Sequence, residues 1–186
     1  MQITLLRHGK TEFSHKKLLS SESFSNWVKS YNLSGLCESS QPSDSTVEHV
    51  AKCNAVICSE LHRSKESARK LKIYKIDLTS SLFNEAGLPV VKVKYMKLPT
   101  KIWLVLFRLL WLFGYSGNSE SFRETKKRAT EATNILVEFA KEHDHVLFIG
   151  HGVYNRILSR KLLELGWAGE KLSSTKHWGY SVYTYR

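Results

Sequence analysis

Two tripeptides far apart in the sequence combine an imidazole with residues that suit an anionic ligand. Arg7-His8-Gly9 joins a guanidinium with paired donors to a side chain that can act as base, acid or nucleophile near neutral pH. Gly9 allows a sharp turn and a close approach of the backbone. Gly150-His151-Gly152 places a second imidazole between glycines. One tripeptide alone is a weak signal, and the recurrence makes the pattern informative.

Further polar residues with the same chemical character lie near or between these tripeptides. Arg63 follows the apolar run 55–58 within the segment Ser59-Glu60-Leu61-His62-Arg63. Glu85 lies in an irregular segment that follows a third apolar run, 74–78. Thr11 and Ser14 could hydrogen-bond to a bound oxyanion, or serve as ordinary turn hydroxyls.

The elements that must position these residues are short buried strands alternating with helices. Strands are predicted at 3–6, 54–59, 74–78 and 146–149, with a last strand within 177–185. Helices are predicted at 20–32, near 46–52, at 65–71, at 121–143 with a capping box of Ser121 and Glu124, and at 153–165. This alternation predicts an α/β fold with three layers, α/β/α, around a mostly parallel sheet. Because ligands of open α/β sheets bind beyond the carboxyl ends of the strands, Arg7, His8, Arg63 and His151 are expected in one pocket.

Such a pocket suits phosphoryl transfer. Two guanidinium groups can hold a phosphate bidentately, and a helix that begins just after His151 would add free N–H groups. One histidine would then attack phosphorus and form a phosphohistidine. A carboxylic acid must protonate the leaving oxygen; Glu85 is the best placed, with Glu12 and Glu120 as rivals. The arginines would stabilise the charge, so no metal and no cofactor are expected.

The sequence resembles the histidine phosphatase superfamily, in its phosphoglycerate-mutase-like group. Four stretches match the family in order: Leu6 to Glu12, Ser59 to Ala68, Leu82 to Glu85, and Gly150-His151-Gly152. The resemblance implies that His8 is the phosphorylated nucleophile and Glu85 the proton donor. It also implies that Arg7, Arg63 and His151 form the phosphate pocket. We add Thr11, Ser14 and Gly152 as further candidate binding residues.

The resemblance covers nearly the whole chain, so residues 1–186 are expected to form a single domain with a helical lid insertion at about 85–117. Glu85 is followed by Ala-Gly-Leu-Pro rather than by a longer acidic continuation, and the chain is shorter than cofactor-dependent mutases. Both departures favour a metal-independent phosphomonoesterase. The alternatives are a mutase-type phosphotransferase and a non-catalytic phosphate-binding module docked to membranes.

Composition restricts the partners. The chain has 186 residues, a net charge of +11 and a pI of about 9.6, which points to anionic partners. The basic residues are scattered, so a small phosphorylated substrate is expected and nucleic acid is not. Cys37, Cys53 and Cys58 are odd in number and lack metal-ligand spacing. With no signal-peptide pattern at the N-terminus, a reducing cytoplasm is expected.

One apolar run remains outside this scheme. Residues 102–113 predict a helix that is too short to span a bilayer. It could be a buried or lid helix, a homodimer contact, or a membrane contact through Trp103–Phe113. Within it, Arg108 could reach the pocket or extend to solvent. The histidines at 15, 49, 62, 143, 145 and 177 are interpreted as structural or exposed.

Overall fold

A six-stranded mixed sheet forms the centre of the computed structural model, which describes residues 1–13, 18–117 and 119–186. The strands in these described ranges are β1 Gln2–Arg7, β2 Leu19–Ser20, β3 Ala55–Ser59, β4 Leu78–Ser80, β5 Lys97–Leu98, β6 His145–Gly150, β7 Ala168–Gly169 and β8 Tyr180–Thr184. The central sheet has the order β4-β3-β6-β1-β8-β7. Its first four strands are parallel, while β8 runs antiparallel to β1 and β7 antiparallel to β8.

The helices cover both faces of this sheet. They are α1 Ser21–Leu33, α2 Asp44–Val50, α3 His62–Lys70, α4 Thr100–Leu112, α5 Phe122–His143 and α6 Gly152–Glu164, with a short 3-10 helix at Ser81–Phe83. Alternate residues of each central strand enter opposite cores, because side chains of a strand point to alternate faces. Ile57 packs with residues of α5 and α6, and its neighbour Cys58 packs with residues of α2 and α3. The three-layer α/β/α prediction is confirmed.

Local signals explain several helix boundaries. The predicted capping box begins α5: the Ser121 hydroxyl accepts the Glu124 N–H at 3.2 Å, and the Glu124 carboxylate accepts the Ser121 N–H at 2.8 Å. Ala129, Ala132, Leu136 and Ala140 form a stripe along α5 that is fully buried in the core. Ser43 and Ser20 cap α2 and α1 in the same way with their hydroxyls.

Two boundaries differ from the predictions. The run 74–78 was expected to be a strand, but β4 begins only at Leu78 and Tyr74 is 86% exposed. Asp77 ends the irregular stretch by accepting the Val56 N–H with its carboxylate at 2.8 Å, which docks the chain onto β3. The third helix begins at His62 rather than at residue 65, so Arg63 lies on its first turn and not at the end of a strand.

A separate aromatic cluster joins α1 to α4. Phe24, Trp27, Trp103 and Phe107 form its buried centre, and apolar residues of the segment 88–98 pack against it. The two short strands β2 and β5 pair antiparallel beside this cluster. We call α1, residues 88–98 and α4 the cap. Within the described parts of the chain, no helix has the length and apolarity that crossing a membrane requires.

Candidate active site

The pairing register between β1 and β6 places His8 beside His151. Arg7 lies opposite Gly150 in these parallel strands, and the His8 N–H donates to the Gly150 carbonyl at 3.0 Å. The ring centroids of the two histidines are 5.1 Å apart, and both side chains are buried. The structure therefore brings together two imidazoles that are far apart in the sequence.

Gly9 is required at the turn that follows His8. A Cβ atom at this position would lie 2.4 Å from Cζ2 of the Trp178 indole, which is rigid and cannot give way. The Gly9 N–H donates to the Ser67 hydroxyl at 3.0 Å, which ties the turn to α3. Glycine thus allows the indole to pack directly against the backbone that holds His8.

The environment of His8 assigns its tautomer. Nδ1 lies 2.7 Å from the Gly9 carbonyl oxygen, and because a carbonyl only accepts, Nδ1 carries the proton. The lone pair is then on Nε2. Burial, followed by the positive charge of Arg63, holds the pKa of His8 well below its usual value. The imidazole is therefore neutral at neutral pH, as a nucleophile must be.

His151 is held by the end of β3 and the first turns of α6. Its Nε2 lies 2.7 Å from the Ser59 hydroxyl, and its backbone N–H donates to Oδ1 of Asn155 at 3.2 Å. Asn155 is fully buried and donates through Nδ2 to the Leu6 carbonyl at 3.1 Å, so it joins β1 to β6. Burial and the charge of Arg63 also hold the pKa of His151 well below its usual value.

Two arginines approach the imidazoles from different elements. Arg63 is only 1% exposed, and its guanidinium lies 4.9 Å above the centre of the Tyr31 ring. Arg7 is partly exposed and donates to the Thr175 carbonyl. A Cβ on Gly152 would lie 3.4 Å from Cζ of Arg7, so this predicted binding residue lets Arg7 pack against the start of α6.

The buried side-chain atoms without a hydrogen-bond partner concentrate here. Within the described ranges they are Arg7 Nε, Arg63 Nε, His151 Nδ1 and Ser173 Oγ. Three of these four belong to the residues around His8. An unpaired buried polar atom costs stability, so three of them around one imidazole indicate a place built to donate hydrogen bonds to an anion.

Glu85 lies at the N-terminus of α6. Its carboxylate accepts the Tyr154 N–H at 2.9 Å and the Val153 N–H at 3.4 Å. The expectation that these N–H groups would be free for a ligand is therefore wrong, because a carboxylate is stabilised at a helix N-terminus and occupies it. Burial lowers the pKa of Arg63, and the nearby Glu85 carboxylate opposes that shift.

The rival carboxylates have other surroundings. Glu120 forms a bidentate pair with Arg128, with both contacts at 2.8 Å. Burial tends to raise the pKa of Glu120, but its hydrogen bonds with Arg128 and Thr125 lower it overall. Glu12 is exposed. Arg128 also donates to the Leu82 and Asn84 carbonyls, so it holds the segment that leads to Glu85.

Some site residues differ from their interpretation in the sequence. His177 was taken as structural or exposed, but its ring centroid is 5.4 Å from that of His8 and its Nδ1 donates to the His8 carbonyl at 3.1 Å. Arg108 is partly exposed and donates to the Gly87 carbonyl at 2.9 Å and the Ala86 carbonyl at 3.3 Å, just after Glu85. Thr11 is buried and bridges to Leu36, and its role with phosphate stays a prediction. Ser14 lies outside the described residues.

The lowered histidine pKa values predict that the protein loses stability in mild acid. Below about pH 6.5 the histidines of the unfolded chain take up protons, whereas His8 and His151 in the fold stay neutral until a lower pH. The free energy of unfolding should therefore be greatest above pH 6.5 and fall below it by up to about 1.4 kcal/mol per pH unit for each histidine. Urea unfolding at a series of pH values between 5 and 8 measures this slope.

Single variants test whether His8 and His151 cause this dependence of the free energy of unfolding on pH. His8→Asn removes one buried titrating group, so its stability should depend less steeply on pH than that of the wild type. Equal slopes in the wild type, His8→Asn and His151→Asn would contradict the assignment.

Known proteins with this fold share its architecture at low sequence identity. The protein of open reading frame Rv3214 from Mycobacterium tuberculosis superposes with a TM-score of 0.67 at 17% identity, over 100% of this chain and 91% of that one. A mycobacterial glucosyl-3-phosphoglycerate phosphatase, Rv2419c, superposes with a TM-score of 0.54 at 17% identity, over 88% of this chain and 79% of that one. A phosphoserine phosphatase mutant from Entamoeba histolytica superposes with a TM-score of 0.55 at 13% identity, over 100% of this chain and 91% of that one. A comparison with curated proteins gives no match.

These sequence identities are too low to assign the chain to a family, but a family model does so. The model described as histidine phosphatase superfamily (branch 1) matches residues 44–185, about three quarters of the chain. This range contains Arg63, Glu85 and His151, and the register of β1 against β6 adds Arg7 and His8 to them. The chain belongs to the histidine phosphatase superfamily, branch 1.

Proposed function

We propose that this protein is a metal-independent phosphomonoesterase that acts through a phosphohistidine on His8. The observation that carries the proposal is the set of unpaired buried nitrogens, Arg7 Nε, Arg63 Nε and His151 Nδ1, around a neutral imidazole. The names of structural neighbours also favour a phosphatase, since two of those described above are phosphatases. Their low identity to this chain leaves its own substrate unassigned.

In the first step Nε2 of His8 attacks phosphorus in line with the ester oxygen. The N–P bond forms as the P–O bond of the ester breaks, and the leaving oxygen takes a proton from Glu85. For this step Glu85 is the carboxylic acid, with its proton on Oε2, the oxygen that has the longer contact to the start of α6. Arg7, Arg63 and His151 donate to the equatorial oxygens, where the negative charge is spread in the transition state. The hydrogen bond from Nδ1 to the Gly9 carbonyl holds the ring in the attacking tautomer.

In the second step water attacks the phosphohistidine. The Glu85 carboxylate, now deprotonated, takes a proton from that water as the new P–O bond forms and the P–N bond breaks. Inorganic phosphate leaves, and both His8 and Glu85 return to their starting states. Val153 and Tyr154 N–H groups hold the Glu85 carboxylate at a fixed position through both steps. The arginines supply the charge stabilisation, which is why we propose that no metal takes part.

Three expectations about the whole chain belong with this proposal. We propose that residues 1–186 work as a single domain, that the segment at about 85–117 serves as its lid, and that the protein acts in the cytoplasm on a small phosphorylated substrate. The cap supports the second point, because its Tyr31 lies against Arg63 and its Arg108 binds the chain just after Glu85.

Hydrolysis of p-nitrophenyl phosphate in excess EDTA tests the proposal. We expect turnover that EDTA does not reduce. In enzyme quenched with alkali, where the P–N bond of phosphohistidine is stable, mass spectrometry should find one phosphoryl group on the peptide that contains His8. Turnover that disappears in EDTA and returns with Mg²⁺ would contradict the metal-independent mechanism. Labelled enzyme that releases phosphate only to a second phosphate acceptor would indicate a mutase, and neither label nor turnover would indicate a non-catalytic binding module.

A further inference from the structure

Helix α4 presents apolar side chains on two opposite sides. Its inner side is fully buried in the protein and carries Trp103, Phe107 and Trp111. Its outer side is exposed and carries residues at spacings of three and four: Ile102 at 51%, Val105 at 59%, Leu106 at 37%, Leu109 at 47% and Leu112 at 47% exposure. We call these five residues the outer face of α4. Phe113, which follows the helix, is 87% exposed.

This amount of exposed apolar surface on one helix is unusual for a water-soluble protein. Single exposed leucines are common and need no explanation, whereas a contiguous apolar face marks an interaction site. The inner face already supplies the burial that holds α4 in place, so the outer face is not needed for the fold.

The charged residues of the segment that carries this face are all of one sign. Between Glu85 and Glu120 the sequence contains no acidic residue but five basic ones: Lys92, Lys94, Lys97, Lys101 and Arg108. Arg108 is engaged with the carbonyls of Ala86 and Gly87, while all four lysines are exposed. Lys101 lies one turn from Val105 on α4 itself, and Lys97 lies just before the helix.

We propose that the outer face of α4 docks on the surface of a membrane that contains anionic phospholipids. An apolar helix face beside lysines is the pattern of a helix that lies in the plane of the interface, with its apolar side chains among the acyl chains and its lysines at the headgroups. The 13 residues of α4 span about 20 Å, so the helix lies on the bilayer rather than across it.

Charge also favours a membrane over a second copy of the chain as the partner of the outer face of α4. Two outer faces packed against each other would bring two segments of five positive charges together, with no carboxylate in either to compensate them. An anionic membrane supplies the opposite charge. The inference does not depend on the proposed phosphatase activity, because none of its residues belongs to the catalytic machinery.

Co-sedimentation of the full chain with vesicles tests the proposal. We expect binding to phosphatidylcholine vesicles that contain phosphatidylglycerol, weaker binding to phosphatidylcholine alone, and loss of binding at high salt. Leu109→Glu should weaken binding about tenfold or more, because it places a carboxylate at the centre of the outer face. Lys97→Gln with Lys101→Gln should weaken binding and reduce its dependence on salt.

Leu172→Glu is the matched control, since Leu172 is also about half exposed at 53%, lies away from the cap, and undergoes the same change of charge. It should bind vesicles as the wild type does, and circular dichroism should show that both leucine variants are folded. Equal binding by Leu109→Glu and Leu172→Glu, or no binding by the wild type, would overturn the proposal. A wild-type dimer in light scattering that Leu109→Glu converts to a monomer would overturn it in favour of self-association.

Discussion

Replacing His8 with alanine is expected to lower kcat for a phosphomonoester about 1000-fold or more, because the variant has no atom to accept the phosphoryl group. His8 is the imidazole whose Nδ1 proton is fixed by the Gly9 carbonyl, which leaves Nε2 for attack. Steady-state hydrolysis of p-nitrophenyl phosphate measures the loss of rate. Mass spectrometry after an alkaline quench should find a phosphoryl group on the wild type and none on the variant. Phosphate binding should survive, since the arginines remain.

His177→Ala serves as the control for a histidine beside the site. The His177 ring is 5.4 Å from that of His8, but its contact is with the His8 backbone carbonyl. Its loss should therefore reduce the rate by about tenfold or less, as expected for a residue that positions another. If His8→Ala kept a tenth of the wild-type rate, or if the His177 variant alone prevented labelling, the assignment of the nucleophile would be wrong.

Replacing Glu85 with glutamine is expected to lower kcat by about 100-fold or more for an alkyl phosphate, within the range that general acid catalysis contributes. The loss should be much smaller for p-nitrophenyl phosphate, because a nitrophenolate leaves with little need for a proton. Glutamine keeps one oxygen, which can still accept the Tyr154 N–H as Oε1 of Glu85 does at 2.9 Å. Only the longer contact of 3.4 Å from the Val153 N–H to Oε2 is lost, so the start of α6 should stay intact. Rates on both esters across pH measure the effect.

Glu120→Gln is the matched control for this prediction. Glu120 pairs with Arg128, which supports the carbonyls of Leu82 and Asn84 just before Glu85. Its replacement should lower stability and reduce both rates by similar factors. A loss for Glu120→Gln that depends on the leaving group, with none for Glu85→Gln, would move the proton donor to Glu120.

The parts of the site that could be predicted from the sequence depend on short-range patterns. A buried strand that ends in Arg7-His8-Gly9 and another that ends in Gly150-His151-Gly152 need only a parallel register to bring their imidazoles together, and the structure has that register. Arg63 is also placed in the pocket, although from a helix rather than from a strand end. The boundary was misjudged because Ser59 to Ser64 contains no side-chain cap that would mark the start of α3.

The parts that could not be predicted depend on contacts between distant segments. His177 reaches His8 because β8 pairs with β1 and returns the chain to the site, and no local motif at residue 177 indicates this. Asn155 acts through hydrogen bonds to the ends of β1 and β6 that only the folded sheet brings within reach. Likewise, Glu85 was predicted as a proton donor and the start of α6 as a site for an anion, but their contact with each other depends on tertiary structure.

The hydrogen bond between Nδ1 of His8 and the Gly9 carbonyl also predicts which isomer the proposed phosphohistidine would be. Phosphohistidine exists as two isomers, and only the one substituted at Nε2, the tele or 3-phospho isomer, is compatible with this bond. The pros isomer would require the ring to leave the backbone oxygen and turn within a buried space. An antibody specific for the tele isomer should therefore recognise the trapped intermediate, and one specific for the pros isomer should not.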